Sequence, residues 1–161
     1  MTQPDRVAIL LPLLVGAGAT LGTICIHALA VNGTINFLRR EEKSGRTGRG
    51  LGIDLRIVVL VISLALAAHL VEIALWAGLF MLCGEFQVFG VAYYHSAVNY
   101  TTLGYGDVVM SARWRLLGPL EAADGMLMFG ISTAMIFAVV LRFLQMRFSL
   151  PDLGGQASTH H

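Results

Sequence analysis

Seven consecutive residues, Thr101-Thr102-Leu103-Gly104-Tyr105-Gly106-Asp107, hold the densest chemical information in this chain. Glycine stands at alternate positions, 104 and 106. A backbone that alternates between left- and right-handed conformations turns successive carbonyl oxygens the same way, and glycine enters the left-handed region without a Cβ penalty. A stack of such oxygens can replace the water shell of a dehydrated potassium ion. Thr102 can add a hydroxyl oxygen at the inner end. Leu103 and Tyr105 then point away from the ions, where packing against helices would hold a ring at a set width. A simple glycine turn would explain the glycines, but not the paired threonines, the tyrosine and the aspartate together.

One such strand reaches an ion from one side only. Four strands must converge on an axis, so the segment predicts a homotetramer with cyclic symmetry. It also demands a surrounding scaffold, which composition identifies. Of 161 residues, 56% are hydrophobic and 13% charged, well below the charge content of a soluble domain. No charged residue lies between Arg6 and Arg39, only Glu72 between Arg56 and Glu85, and only Glu121 and Asp124 between Arg115 and Arg142. A bilayer core about 30 Å thick needs ~20 apolar helical residues. Each stretch is long enough, which predicts an all-α, multi-pass membrane protein embedded in a lipid bilayer.

The chain divides accordingly. An N-terminal transmembrane helix is predicted within 1–38 and a basic linker over 39–52. A module over 53–148 follows, with an outer helix at 53–83, a polar stretch too short to cross and return as two full spans that holds the strand at 102–107, and an inner helix at 116–148. Residues 149–161 form a short tail predicted to be disordered, ending in His160 and His161. The first apolar run is far longer than the core of a cleaved signal peptide, so it reads as a retained span. Six of the 11 basic residues (Arg39, Arg40, Lys43, Arg46, Arg49 and Arg56) fall between 39 and 56. Short basic loops stay cytoplasmic, which puts the N-terminus outside and the C-terminus inside a plasma or inner membrane. In the first span, Gly18 and Gly22, like Gly16 and Thr20, place small residues four apart, where another helix can approach closely.

Other function classes find little support. A formal net charge of +1 and the lack of a basic run beside aromatics give no sign of a nucleic-acid partner. Cys25 and Cys83 form no C-x-x-C pair and read as small apolar fillers. There is no nucleophile–base pair or phosphate loop to suggest an enzyme.

The segment TTLGYGD resembles the filter signature of the potassium-channel pore-domain family. Residues 89–101 resemble that family's pore helix, and the inner helix resembles its counterpart, with Gly130-Ile131-Ser132-Thr133 in the glycine-hinge region. Trp114 follows the aspartate by seven residues, as an aromatic does in some bacterial members. The resemblance covers roughly 53–147. It implies that the carbonyls of Thr102, Leu103, Gly104 and Tyr105, with the Thr102 hydroxyl, coordinate transported K+, with Thr101 and Gly106 flanking them. Asp107 would sit at the outer mouth. Ile131, Ala134 and Ala138 would line the cavity, and Gly125 and Gly130 would allow the inner helix to bend.

This sequence departs from the family at three places. Leu103 replaces a valine or isoleucine. Tyr94 and His95 stand where many members have a tryptophan pair, and Val98 stands where some bacterial members have a glutamate partner for the aspartate. Asp107 then needs another donor, for which Tyr94 and Trp114 are candidates.

Charges at membrane depth are costly and should face protein or water. His69 and Glu72 share one helix face, as do Glu121 and Asp124. Asp124 is expected to brace the filter, or alternatively to be satisfied by His69, Thr20 or Thr23. His27 and His69 read as core residues rather than ligands. The first span lacks regularly spaced arginines, so no voltage sensor is expected, nor a ligand-binding domain. A weakly selective cation channel and a non-conducting partner subunit remain the competing readings.

Overall fold

The computed structural model describes residues 9–45 and 50–148. The tail at 149–161 with His160 and His161, and linker residues Arg46 and Arg49, lie outside the described residues. Four helices follow one another: α1 Leu10–Lys43, α2 Leu51–Leu82, α3 Phe89–Tyr100 and α4 Leu117–Phe148. No strand occurs among the described residues. Among the described residues three stretches of helix are long and apolar enough to cross a membrane: α1, α2 and Leu117–Met146 of α4, at 34, 32 and 30 residues. The fold is all-α and the chain is a multi-pass membrane protein.

Boundaries follow local chemistry. α1 extends through Arg39, Arg40, Glu41, Glu42 and Lys43, which the sequence reading assigned to the linker. These are good helix formers, and the basic residues of the last turn complement the negative end of the helix dipole. The helix stops at Gly45, which adopts φ +61°. Pro12 and Pro119 each fall in a first turn, where no earlier carbonyl awaits their missing N–H.

α1 packs against α2 and α4, and α3 is wedged between α2 and α4. Trp76, Phe80, Tyr100, Met128, Leu117 and Trp114 form the main buried cluster at the α3 end of the bundle. Ile57, Val61 and Val139 form a second cluster toward the opposite end. Apolar burial from lipid gives little driving force, so close packing and buried hydrogen bonds must hold such helices together. A Cβ on Gly16 would lie 2.7 Å from Leu120 Cδ1, and one on Gly22 would lie 3.0 Å from Leu75 Cδ1. Gly18 faces open space, so the close approach uses Gly16 and Gly22.

Candidate ion-coordinating segment

α3 ends at Tyr100, and the chain turns sharply into the 101–107 segment. The last turn of α3 captures this turn through its free carbonyls. Thr102 N–H donates to Asn99 O at 2.8 Å, and Leu103 and Gly104 N–H both donate to Val98 O, at 3.0 and 3.3 Å. The valine that replaces a polar residue in the sequence pattern is itself buried, and it acts through its backbone.

Left-handed conformations recur at every second residue: Thr102 at φ +62°, Gly104 at +59° and Gly106 at +72°. Glycine adopts this region freely, but a β-branched threonine is an outlier there. The penalty for an L-residue is about 1–2 kcal/mol. Its hydrogen bond to Asn99 holds Thr102 in place. Leu103 is 58% exposed and Tyr105 66% exposed in the single chain. Side chains of this size, turned away from the strand, have no cover within one copy.

The far end of the segment is clamped by α3. Tyr94 Oη donates to Asp107 Oδ2 at 2.8 Å. This bond holds the Asp107 carboxyl below the usual carboxylate range and raises the Tyr94 phenol. His95, next along α3, is buried against Phe80 and Phe86 and its Nε2 pairs with Asn99 Nδ2 at 2.9 Å, while burial lowers its pKa. Trp114 lies in the main buried cluster with the Arg113 guanidinium 5.3 Å from its ring centre. Between the two candidate donors, Asp107 takes Tyr94.

Sequence reasoning missed a second clamp. Glu85 accepts from Ser111 N–H at 2.7 Å and from Ser111 Oγ at 2.6 Å, tying the α2–α3 connection to the loop that follows the segment. No spacing rule signals a pair so far apart in the chain. The same holds for Ser96, whose hydroxyl contacts both the Glu121 carboxyl and the Ile73 carbonyl.

Asp124 does not reach the segment. Its Oδ2 accepts from Thr23 Oγ1 at 2.8 Å and from Trp76 Nε1 at 2.9 Å, joining α4 to α1 and α2. The register of α4 turns the neighbouring residue toward α3 instead. A Cβ on Gly125 would fall 2.1 Å from the Tyr100 carbonyl oxygen, so backbone meets backbone there. Gly125 is a packing contact beneath the segment, whereas Gly130 faces open space. Ile131, Ala134 and Ala138 are exposed in the single chain. Ile131 and Ala138 also border a groove of about 430 Å³ between α4 and the α1 residues Val31, Ile35 and Leu38.

His69 and Glu72 share a face of α2 and meet, with Nδ1 to Oε2 at 3.2 Å. His27 of α1 joins them through Nδ1 to Glu72 Oε1 at 2.9 Å.

Comparison with known proteins adds one match: a family model described as an ion channel covers residues 57–142. No curated protein and no solved structure matches the chain.

Proposed function

Because the chain belongs to that ion-channel family, we propose that it is a potassium-selective pore subunit working as a homotetramer, with residues 102–106 as its filter. The observation that carries this reading is the left-handed backbone at Thr102, Gly104 and Gly106. That alternation is what a line of ion-facing carbonyls requires. The carbonyls of Thr102, Leu103, Gly104 and Tyr105, with the Thr102 hydroxyl, take the place of water around K+. Thr101 supports the turn, its hydroxyl donating to Ala97 O at 2.6 Å. α3 directs the negative end of its dipole toward a central cavity and favours a cation there. The uncovered Leu103 and Tyr105 favour four copies, since neighbouring subunits supply the packing that one chain lacks.

The C-terminal ends of α1 and α4 meet, with Arg142 Nε donating to Glu42 Oε1 at 2.6 Å. Arg39, Arg40, Lys43, Arg56 and Arg142 therefore gather at one end of the bundle. The positive-inside rule makes that end cytoplasmic and the filter mouth external.

Purified protein in liposomes should pass K+ with barium block, and reversal potentials in mixed Na+ and K+ should follow the K+ gradient. A reversal potential insensitive to that gradient favours a weakly selective pore. No flux from protein that proves tetrameric by mass favours a partner subunit instead. A mass other than fourfold would refute the filter assignment.

A further inference from the structure

Beneath the filter, away from the conduction path proposed above, four side chains from three helices form a closed circuit. Glu72 Oε1 meets His27 Nδ1 at 2.9 Å, and His27 Nε2 meets Ser132 Oγ at 3.1 Å. Ser132 Oγ meets His69 Nε2 at 3.1 Å, and His69 Nδ1 returns to Glu72 Oε2 at 3.2 Å. All four residues are buried, Glu72 completely. The ring joins α1, α2 and α4. Phe129 covers it, its ring 4.3 Å from that of His69.

Each of the four edges needs one hydrogen. An ionised Glu72 supplies none, two neutral imidazoles supply one N–H each, and the Ser132 hydroxyl supplies one, which makes three. One additional proton closes the circuit, whether on Glu72 or on either histidine. It also brings the net charge of the group to zero, the form that a low-dielectric interior favours. Without it, one edge has two acceptors facing each other around a buried negative charge. A second would leave the buried group with a net positive charge.

We propose that His27, Ser132, His69 and Glu72 form a binding site for a single proton, and that the ring closed by this proton fastens α1 to the pore module. The other ionisable groups facing it are Tyr100 from α3, and Asp124 and Glu121 from α4. Tyr100 Oη donates to Glu72 Oε2 and also lies 3.2 Å from His69 Nδ1, so it flanks one edge of the ring. Through Tyr100 the ring reaches the last residue of α3, two positions from Thr102. Asp124 is held by Thr23 and Trp76, and Glu121 by Ser96, so neither takes a place in the circuit.

A divalent metal is the competing occupant, since donors of His27, His69 and Glu72 all lie within 4.8 Å of one another. The pairing of those donors with each other, edge by edge, favours the proton. Glu72→Gln separates the two. A glutamine amide donates to one histidine and accepts from the other, so it closes the ring with no added proton, but it is a poor ligand for a metal.

The test is the SDS-induced unfolding equilibrium of the assembled protein between pH 7 and pH 9, for wild type, Glu72→Gln and Ser132→Ala. It reads stability rather than conduction, so its failure is separable from failure of the channel reading. In the unfolded chain over this range the carboxyl is ionised and both imidazoles are neutral. Folding of wild type therefore takes up a proton that folding of Glu72→Gln does not. Relative to Glu72→Gln, the wild-type folding constant should fall about tenfold per pH unit while the ring keeps its proton. Glu72→Gln should match wild type at pH 7, whereas Ser132→Ala, which breaks two edges, should be less stable throughout. Parallel pH profiles for wild type and Glu72→Gln would overturn the proposal. So would a Glu72→Gln protein as unstable as Ser132→Ala, or stoichiometric divalent metal in elemental analysis of the purified wild type.

Discussion

The hydroxyl of Tyr94 donates to the carboxylate of Asp107 at 2.8 Å, linking the second turn of α3 to the far end of the strand that α3 introduces. The strand is thereby fixed at both ends by one short helix: at its base by the Val98 and Asn99 carbonyls, and at its far end by Tyr94. A clamp of this kind resists changes in strand length. Its loss should show as instability of the conducting state before any loss of ion preference.

Acid should weaken this clamp. The Asp107 carboxyl is depressed by the Tyr94 hydrogen bond, so its contribution is present above the ordinary carboxylate pKa of about 3.9 and is lost as pH falls through the lowered value. Tyr94→Phe removes the main cause of the depression. The pH at which K+ flux runs down should then move upward, and inactivation at neutral pH should quicken a few-fold. Flux decay in liposomes between pH 3 and pH 7 would check this, and an unchanged acid limit would count against the clamp.

Gly125 and Gly130 should separate cleanly. A methyl group at 125 collides with the Tyr100 carbonyl at 2.1 Å. Backbone cannot yield as a side chain tip can, so Gly125→Ala should cost about 1–3 kcal/mol or more and lower the thermal midpoint of the assembly. Gly130→Ala meets nothing within 4 Å in the chain and should assemble normally, with any effect confined to open probability in single-channel recordings.

Asp124 gives a different expectation. Its partners lie on α1 and α2, so Asp124→Asn should weaken the attachment of α1 and leave K+ over Na+ preference unchanged. Thr23→Val should destabilise by about 1–3 kcal/mol, the usual cost of leaving a buried acceptor short of a donor. Reversal potentials together with thermal melts of each variant test both statements. A selectivity change in Asp124→Asn would contradict the observed geometry.

At the strand itself, Gly104→Ala places a Cβ at φ +59° in every copy. In the proposed tetramer the strain of about 1–2 kcal/mol per residue would repeat with each subunit, so flux should fall at least a hundredfold while the helices still form. Circular dichroism and liposome flux on one preparation distinguish this from general misfolding.

Most of the architecture was legible because the bilayer enforces it. Charge-free runs long enough to span left few alternatives, and glycines at 104 and 106 require a backbone that few folds use. The helix limits of α2, α3 and α4 fall within two residues of those read from the sequence. α1 ran past its expected end because Arg39–Lys43 is polar yet helix-forming, and polarity alone had marked it as linker. The partners of the buried carboxylates were less legible. Spacing puts His69 and Glu72 on one face and Glu121 and Asp124 on another, but spacing within a helix does not say which neighbouring helix that face meets. Thr23 is one of three partners that the sequence offers for Asp124, whereas Trp76 for Asp124, Ser96 for Glu121 and His27 for Glu72 emerge only when α1, α2 and α3 are docked. Residue 98 could be read as a missing acid, but not as the backbone acceptor for Leu103 and Gly104.

The every-other-residue handedness of the 102–106 backbone has an electrostatic corollary. Carbonyl dipoles aligned side by side repel one another, and in the assembly proposed above the convergence of several strands would bring more negative ends into the same narrow space. Such a bundle is under internal pressure when vacant and relaxes when positive charge threads it. The ions that cross would then also act as struts, and the width of the passage would depend on how much of its cargo is present.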